Sequence, residues 1–241
     1  MEALRLYLRI VILGLGTFFF SSCLDNDGYS LGDIYRPEVV TVVPISETSF
    51  YFRLDAGKTF WPVNQTNYRA PEKETRVLLN YTILSDEIGG YDYGIRVNRI
   101  DAILTKQIAE DKGEKNDLIY GVDPVRIIGI WAGDNYLNVY FEAIWGGQVK
   151  HYVNLIAPDP EKPYSLEFRH NAYDDSKSYR AASMVAFDLS SLEVEEESVE
   201  LEIKVIEFDK ESTYKIEYTP NRPNRVNTLS FSEMVLSGIS L

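Results

Sequence analysis

The 241-residue chain carries 37 acidic against 24 basic residues, a formal charge of −13 with a pI near 4.7. An anionic surface of that strength repels phosphate backbones and excludes nucleic acid as a partner. A single cysteine permits neither an intramolecular disulfide nor a cysteine metal cluster, so stability rests on hydrophobic burial, for which 17 Tyr and 11 Phe supply the area and favour sheets.

Residues 1–22 read as a secretory signal: Arg5 and Arg9 make a positive start, Ile10 to Phe20 is uncharged and apolar, and Ser21 and Ser22 form a small-residue junction. The apolar run is too short for a bilayer, which takes about 20 residues. Phe20-Ser21-Ser22-Cys23 resembles the lipobox of bacterial lipoproteins. That resemblance implies cleavage before Cys23, a diacylglycerol on its thiol and an acylated amino terminus, making the membrane a partner through lipid. The plainer alternative is a soluble secreted protein with a cysteine near its cleavage site. Residues 23–37 then read as the lipidated cysteine and a flexible, acidic, glycine-containing tether. Acidic residues directly after the cysteine resemble the export signal that sends some lipoproteins to the outer face of the outer membrane. Cell-surface exposure is expected, with a periplasm-facing anchor as the alternative. Asp25-Asn26-Asp27-Gly28 is not an EF-hand, because the twelfth position is Arg36 where a bidentate Glu is needed.

Removal of the signal leaves 219 residues with side chains summing to −14, enough for one large or two small domains. Residues 38–113 read as a first β domain. Glu38–Val43 is β-branched and stopped by Pro44; Ser49–Leu54 ends at the turn Asp55-Ala56-Gly57-Lys58; Thr59–Val63 leads to a polar loop, Asn64 to Lys73. Thr75–Leu84 alternates, with Val77, Leu79, Tyr81 and Ile83 on one face and Arg76 and Asn80 on the other. Gly89-Gly90 breaks the pattern before Tyr91–Val97 and Ile100–Ile108. Strands this short and close, with no room for crossover helices, fit a small antiparallel barrel or sandwich. The charged stretch Ala109 to Asp117 marks the boundary.

Residues 118–241 read as a second domain. Val125–Trp131 turns at Ala132 to Asn135 into Tyr136–Trp145, where Leu137, Val139, Phe141 and Ala143 alternate with Asn138, Tyr140 and Glu142. Gly146-Gly147 is expected to close a second hairpin with Gln148–Ile156. Tyr164–His170, Ala181–Leu189, Ser198–Phe208 and Thr213–Thr219 continue the period of two, giving an antiparallel β-sandwich with one wet face.

The lipobox, the Asp25 to Asp33 tether, the small N-terminal β domain, and a sandwich containing Phe168-Arg169-His170-Asn171-Ala172-Tyr173-Asp174-Asp175 and Ser183 to Leu192 together resemble the NigD-like lipoproteins of Gram-negative anaerobes. The resemblance implies an all-β chain in which a small N-terminal OB-like barrel precedes the sandwich. Association of that family with a bacteriocin locus implies an immunity or accessory role. No catalytic residues carry over; only Cys23 transfers, as the lipid-bearing residue.

No catalytic signature, cofactor or metal site is read from the residues. His151 and His170 are the only histidines, fewer than a zinc site requires, and are expected to be structural, with Asp174 or Asp175 holding His170. The run Glu193 to Glu200 reads as a solvated hairpin and edge. Trp61, Tyr68, Tyr91 and Tyr93 fall near loop ends of the first domain, where they either stack a ligand or complete the core rim. The expected function is a non-enzymatic module binding a protein, peptide or glycan. The alternatives are a carbohydrate-active hydrolase with paired carboxylates and a structural subunit of an outer-membrane complex.

Overall fold

The computed structural model describes residues 36–64, 66–175 and 179–220. The signal, Cys23 and nearly all of the tether lie outside them. Five strands form a closed barrel: Arg36–Ser46 (β1), Ser49–Leu54 (β2), Thr59–Pro62 (β3), Thr75–Ser85 (β4) and Tyr93–Ala102 (β5), in the order β1-β2-β3-β5-β4. β1 is long enough to pair with β4 along its first half and β2 along its second, closing the ring. The remaining seam is a parallel pair, β3 with β5. This is the five-stranded arrangement of an OB fold. β5 runs unbroken through the two segments expected over its length, because Asn98 is accommodated as a bulge opposite Asn80 and Tyr81, the usual device for bending a strand around a barrel. Alternation fills the interior with Val40, Val42, Phe50, Phe52, Phe60, Val77, Leu79 and Ile95.

Only Ile103 separates β5 from Leu104–Gln107 (β6), and β6 already belongs to the sandwich. It pairs in parallel with Tyr179–Asp188 (β11), well ahead of the charged stretch expected to part the domains. That stretch forms a 3-10 turn at Gly113–Lys115 and a short helix, Asn116–Tyr120 (α1). The second sheet-forming set is Arg126–Gly133 (β7), Tyr136–Trp145 (β8), Tyr152–Ile156 (β9), Ser165–Asn171 (β10), Val199–Ile206 (β12) and Glu211–Tyr218 (β13). One sheet runs β6-β11-β8-β7 and the other β13-β12-β10-β9.

Asp134 and Asn135, with φ of 48° and 67°, make the tight turn between β7 and β8, as the primed hairpin turns demand. Gly146-Gly147 does something different. It does not return the chain beside β8: residues 146–151 cross to the opposite sheet, where β9 pairs with β10. A glycine pair signals a reversal but not the partner, and here the apolar face of β9, Val153 and Leu155, is needed to cover β8 from the facing sheet. β10 in turn pairs in parallel with β12, so the sandwich is mixed rather than purely antiparallel.

The outer face of the first sheet is wet only at the end that carries Arg126, Glu142 and Arg180. The barrel covers the rest. Val39 and Leu78, from the outer face of the barrel, meet Trp131, Tyr136, Tyr140 and Ala186. Polar residues that alternation assigns to solvent are enclosed with them: Thr41, Arg76 and Asn138 are all fully buried. Arg76 donates from Nη2 to Asp55 at 2.6 Å, from Nη1 to Thr41 at 3.0 Å and from Nε to Asn138 at 3.3 Å, and its guanidinium lies 5.4 Å from the Tyr136 ring centre. Asp55 also accepts Trp131 Nε1–H at 2.8 Å. Arg53 bridges Glu74 and Asp134, at 2.5 and 2.6 Å, and the Thr41 hydroxyl donates to Asp134. Burial raises the Asp134 carboxyl above its ordinary range, with Arg53 and Thr41 opposing. Asn138 Nδ2 has no protein partner.

Candidate functional site

The four aromatics singled out in the first domain do not form one cluster. Trp61 and Tyr91 stack, with ring centres 4.9 Å apart and planes 26° from parallel, and the Tyr51 ring lies tilted 5.2 Å from Tyr91. All three are half-buried. Tyr68 instead packs edge-on against the core ring Phe50 at 5.5 Å, and burial pushes its hydroxyl up. Tyr93 packs edge-on against Phe60 at 5.8 Å, with its hydroxyl accepting Lys58 Nζ at 3.0 Å. So Tyr51 and Trp61, on the outer face of β2 and β3, both meet Tyr91 from the turn before β5, completing the row Tyr51–Tyr91–Trp61, while Tyr68 and Tyr93 rim the core. Tyr51 was legible: Phe50 and Phe52 point inward, which puts the residue between them outside.

At one end of the sandwich the two histidines meet. His151 Nδ1 lies 3.0 Å from His170 Nε2. His151 Nε2 lies 3.3 Å from Asp175, and His170 Nδ1 lies 3.3 Å from the carbonyl oxygen of Asp123. Asp175, not Asp174, is the carboxylate involved, and it holds His151 rather than His170. Its carboxylate also accepts the backbone amides of Gly146, Gly147 and Gln148 at 2.8, 3.0 and 3.3 Å. Burial opposes ionisation there, but those amides and His151 hold the carboxyl below the usual range. His170 is 3% exposed, and burial together with the charge on His151 lowers it to about 4. Trp145 stacks on His151 at 5.4 Å and 25°.

Around this pair stand exposed rings from both sheets: Trp145 and Tyr179, direct cross-strand neighbours on β8 and β11, and Tyr152 and Tyr173, in edge contact at 5.5 Å. Among the described residues no group of three or more His, Cys, Asp or Glu side chains is placed to hold a metal ion.

Two clefts accompany these features. One, of about 210 Å³, is lined by Asp117, Glu167, Arg169, Lys204 and Glu211; Arg169 engages Asp117 and Glu167 there. The other, of about 890 Å³, opens between the β1–β2 turn, Pro44 to Thr48, and residues Arg69 to Glu72. Asp134, whose carboxyl burial raises, lines neither cleft and is closed off at the barrel–sandwich contact.

The NigD-like N-terminal OB domain matches residues 39–103, and the NigD-like C-terminal beta sandwich domain matches 107–218. A solved protein of Parabacteroides distasonis, named as toxin-related, is 45% identical over 78% of this chain and 95% of its own, with a TM-score of 0.73. The chain belongs to the NigD-like family. A protein of unknown function from Bacteroides vulgatus is similar at 26% identity, covering 78% of this chain and 92% of its own, TM-score 0.67. A NigD-like immunity protein from Bacteroides caccae shares the fold at 21% identity, covering 81% and 100%, TM-score 0.63. No curated protein matches the sequence.

Both NigD-like domains are thus present in their expected order. The histidine row was the feature the sequence hid. His151 and His170 come together because β9 and β10 pair antiparallel, with His170 opposite Val153, and pairing β9 with β8 instead keeps them apart.

Proposed function

We propose that this NigD-like chain is a lipid-anchored protein of the outer cell surface that catalyses nothing and binds a protein, peptide or glycan through its barrel. The observation that carries the reading is the Tyr51–Tyr91–Trp61 row on the outer face of β2 and β3. Aromatic faces held by one another present apolar area at little cost in side-chain freedom, and they stack sugar rings or side chains alike. The face of an OB barrel formed by β2 and β3 is also where such folds receive extended ligands. Anchoring follows from Ser21-Ser22-Cys23, and a several-chain anchor holds far more firmly than a single acyl chain. Against catalysis stands the smaller cleft, where Arg169 occupies both Asp117 and Glu167, since a glycosidase needs a pair of carboxyls free to face the scissile bond.

Bacteriocin immunity is the specific form this takes, on the strength of the family and of the Bacteroides caccae protein's name. Cells expressing wild type or Cys23→Ala are treated with protease while intact, with lipid labelling in parallel. Labelled protein that is shaved supports the surface anchor, labelled but protected protein moves it inward, and no Cys23-dependent label sinks it. Challenge with bacteriocin-producing neighbours then separates the immunity form. Resistance restored by wild type and lost in Trp61→Ala supports it; equal resistance without the gene removes it.

A further inference from the structure

Asp175, His151, His170 and the Asp123 carbonyl form a row with three gaps, at 3.3, 3.0 and 3.3 Å. Each gap needs one proton. A carbonyl oxygen only accepts, so His170 must carry its proton on Nδ1. The Asp175 carboxylate is ionised and already accepts three backbone amides, so His151 must carry a proton on Nε2. Two neutral imidazoles are then used up, and the lone pairs of His151 Nδ1 and His170 Nε2 face each other across 3.0 Å. Two acceptors at that distance in an enclosed site repel. One more proton removes the conflict. We propose that the His151–His170 pair holds one excess proton, charge-balanced by Asp175, and that this proton latches the crossover 146–151 to the end of β10 and its following loop.

The charged and titratable groups around the pair agree with that count. Asp175 is the carboxylate in contact, while the Asp123 carboxylate turns away to accept the Ala172 amide at 2.7 Å. Lys150 lies over the Tyr152 ring at 5.5 Å. Tyr152 and Tyr173 contact each other, and the Tyr179 hydroxyl lies against Gly147. The remaining walls are rings: Trp145 over His151 and Phe141 beside His170. His151, carrying the charge, therefore donates to Asp175 on one side and to His170 on the other, and neutral His170 donates to the Asp123 carbonyl. A second proton would put a charge on the buried His170 ring and set two cations against each other; burial first, and His151 after it, push His170 down to about 4. Loss of the proton instead restores the facing lone pairs. The latch is closed with one proton and strained with none or two. It fixes Trp145 and Tyr152, which bracket the crossover, so the exposed rings at this end of the sandwich move with it.

With only two histidines in the sequence, tag-free full-length protein in detergent gives two ring systems in long-range ¹H–¹⁵N spectra. At about pH 7 the expected result is one imidazole protonated on both nitrogens, His151, and one protonated on Nδ1 alone, His170. Two neutral rings with one proton each would overturn the assignment. The latch itself is read from Trp145, whose emission a stacked imidazolium quenches. The difference between wild type and Trp145→Phe should be small near neutrality and grow as the excess proton leaves at alkaline pH. Trp145 emission that stays flat across that range would overturn the latch even if the proton is there.

Discussion

Arg76 Nη2 lies 2.6 Å from Asp55 Oδ1, and Arg76 is fully buried while Asp55 keeps a quarter of its side chain in water. The pair lies within the barrel, yet each member also reaches the sandwich, through Asn138 and Trp131. Removing the cation from such a site leaves uncompensated buried acceptors, which costs about 3–5 kcal/mol. Arg76→Ala is therefore expected to lose about 3 kcal/mol in urea denaturation. Arg76→Lys should recover little, because an ammonium cannot present the planar fork that reaches Asp55, Thr41 and Asn138 together. A loss below about 1 kcal/mol would mean the network orders the contact without stabilising it.

Gly133, at the end of β7, has no unusual φ requirement and is set by space alone. A Cβ there would fall 2.3 Å from Asp55 Cγ. Gly133→Ala should thus displace Asp55 from both Arg76 and Trp131 and destabilise by about 1–3 kcal/mol. A thermal melt indistinguishable from wild type would show that the turn bearing Asp55 yields freely.

His170 supplies the pH dependence. Its folded value of about 4 lies below the ordinary 6.5, so the unfolded chain takes up the proton first and stability falls on acidification. The contribution is intact above about pH 6.5 and is lost progressively as pH falls through 4. The slope reaches about 1.4 kcal/mol per pH unit in that window. His170→Phe should flatten it; equal slopes in the two proteins would place the acid sensitivity in other groups.

Phe60 and Trp61 are consecutive residues on opposite faces of β3. Phe60 is 2% exposed in the barrel core, and truncation to Ala should cost about 3–5 kcal/mol. Trp61→Ala gives up mainly its stacking on Tyr91, worth about 1 kcal/mol. The reverse ranking in denaturant midpoints would make Trp61 a core residue and remove the case for a ligand face.

Where a single strand decides its own pattern, the sequence could be read. β8 runs Tyr136–Trp145 as its alternation dictates, and Val77 and Leu79 face inward as expected. Reading stops where two segments decide together. Arg76 and Asn138 sit on the polar stripes of β4 and β8, and nothing local tells that those stripes face each other. Gly146-Gly147 announces a reversal, but its destination depends on which sheet lacks a cover for Phe141 and Val139. The histidine row is hidden for the same reason, since its members become neighbours only after β9 chooses β10. Trp61 and Tyr91 share their loop-end positions with Tyr68 and Tyr93, and only the interior packing of Phe50 and Phe60 separates the two pairs.

β6 has a bearing on how such chains can be recombined. Its four residues leave the barrel after Ile103 and complete the sandwich by lying along β11. A sandwich started after Gln107 would expose the backbone of β11 from Val185 to Asp188, a ready template for pairing with another chain. It would also bare Trp131, Tyr136 and Asn138 without Thr41 and Arg76 to meet them. Swapping barrels between relatives is therefore expected to succeed only when the cut falls before Leu104 and the incoming barrel brings its own partners for that face.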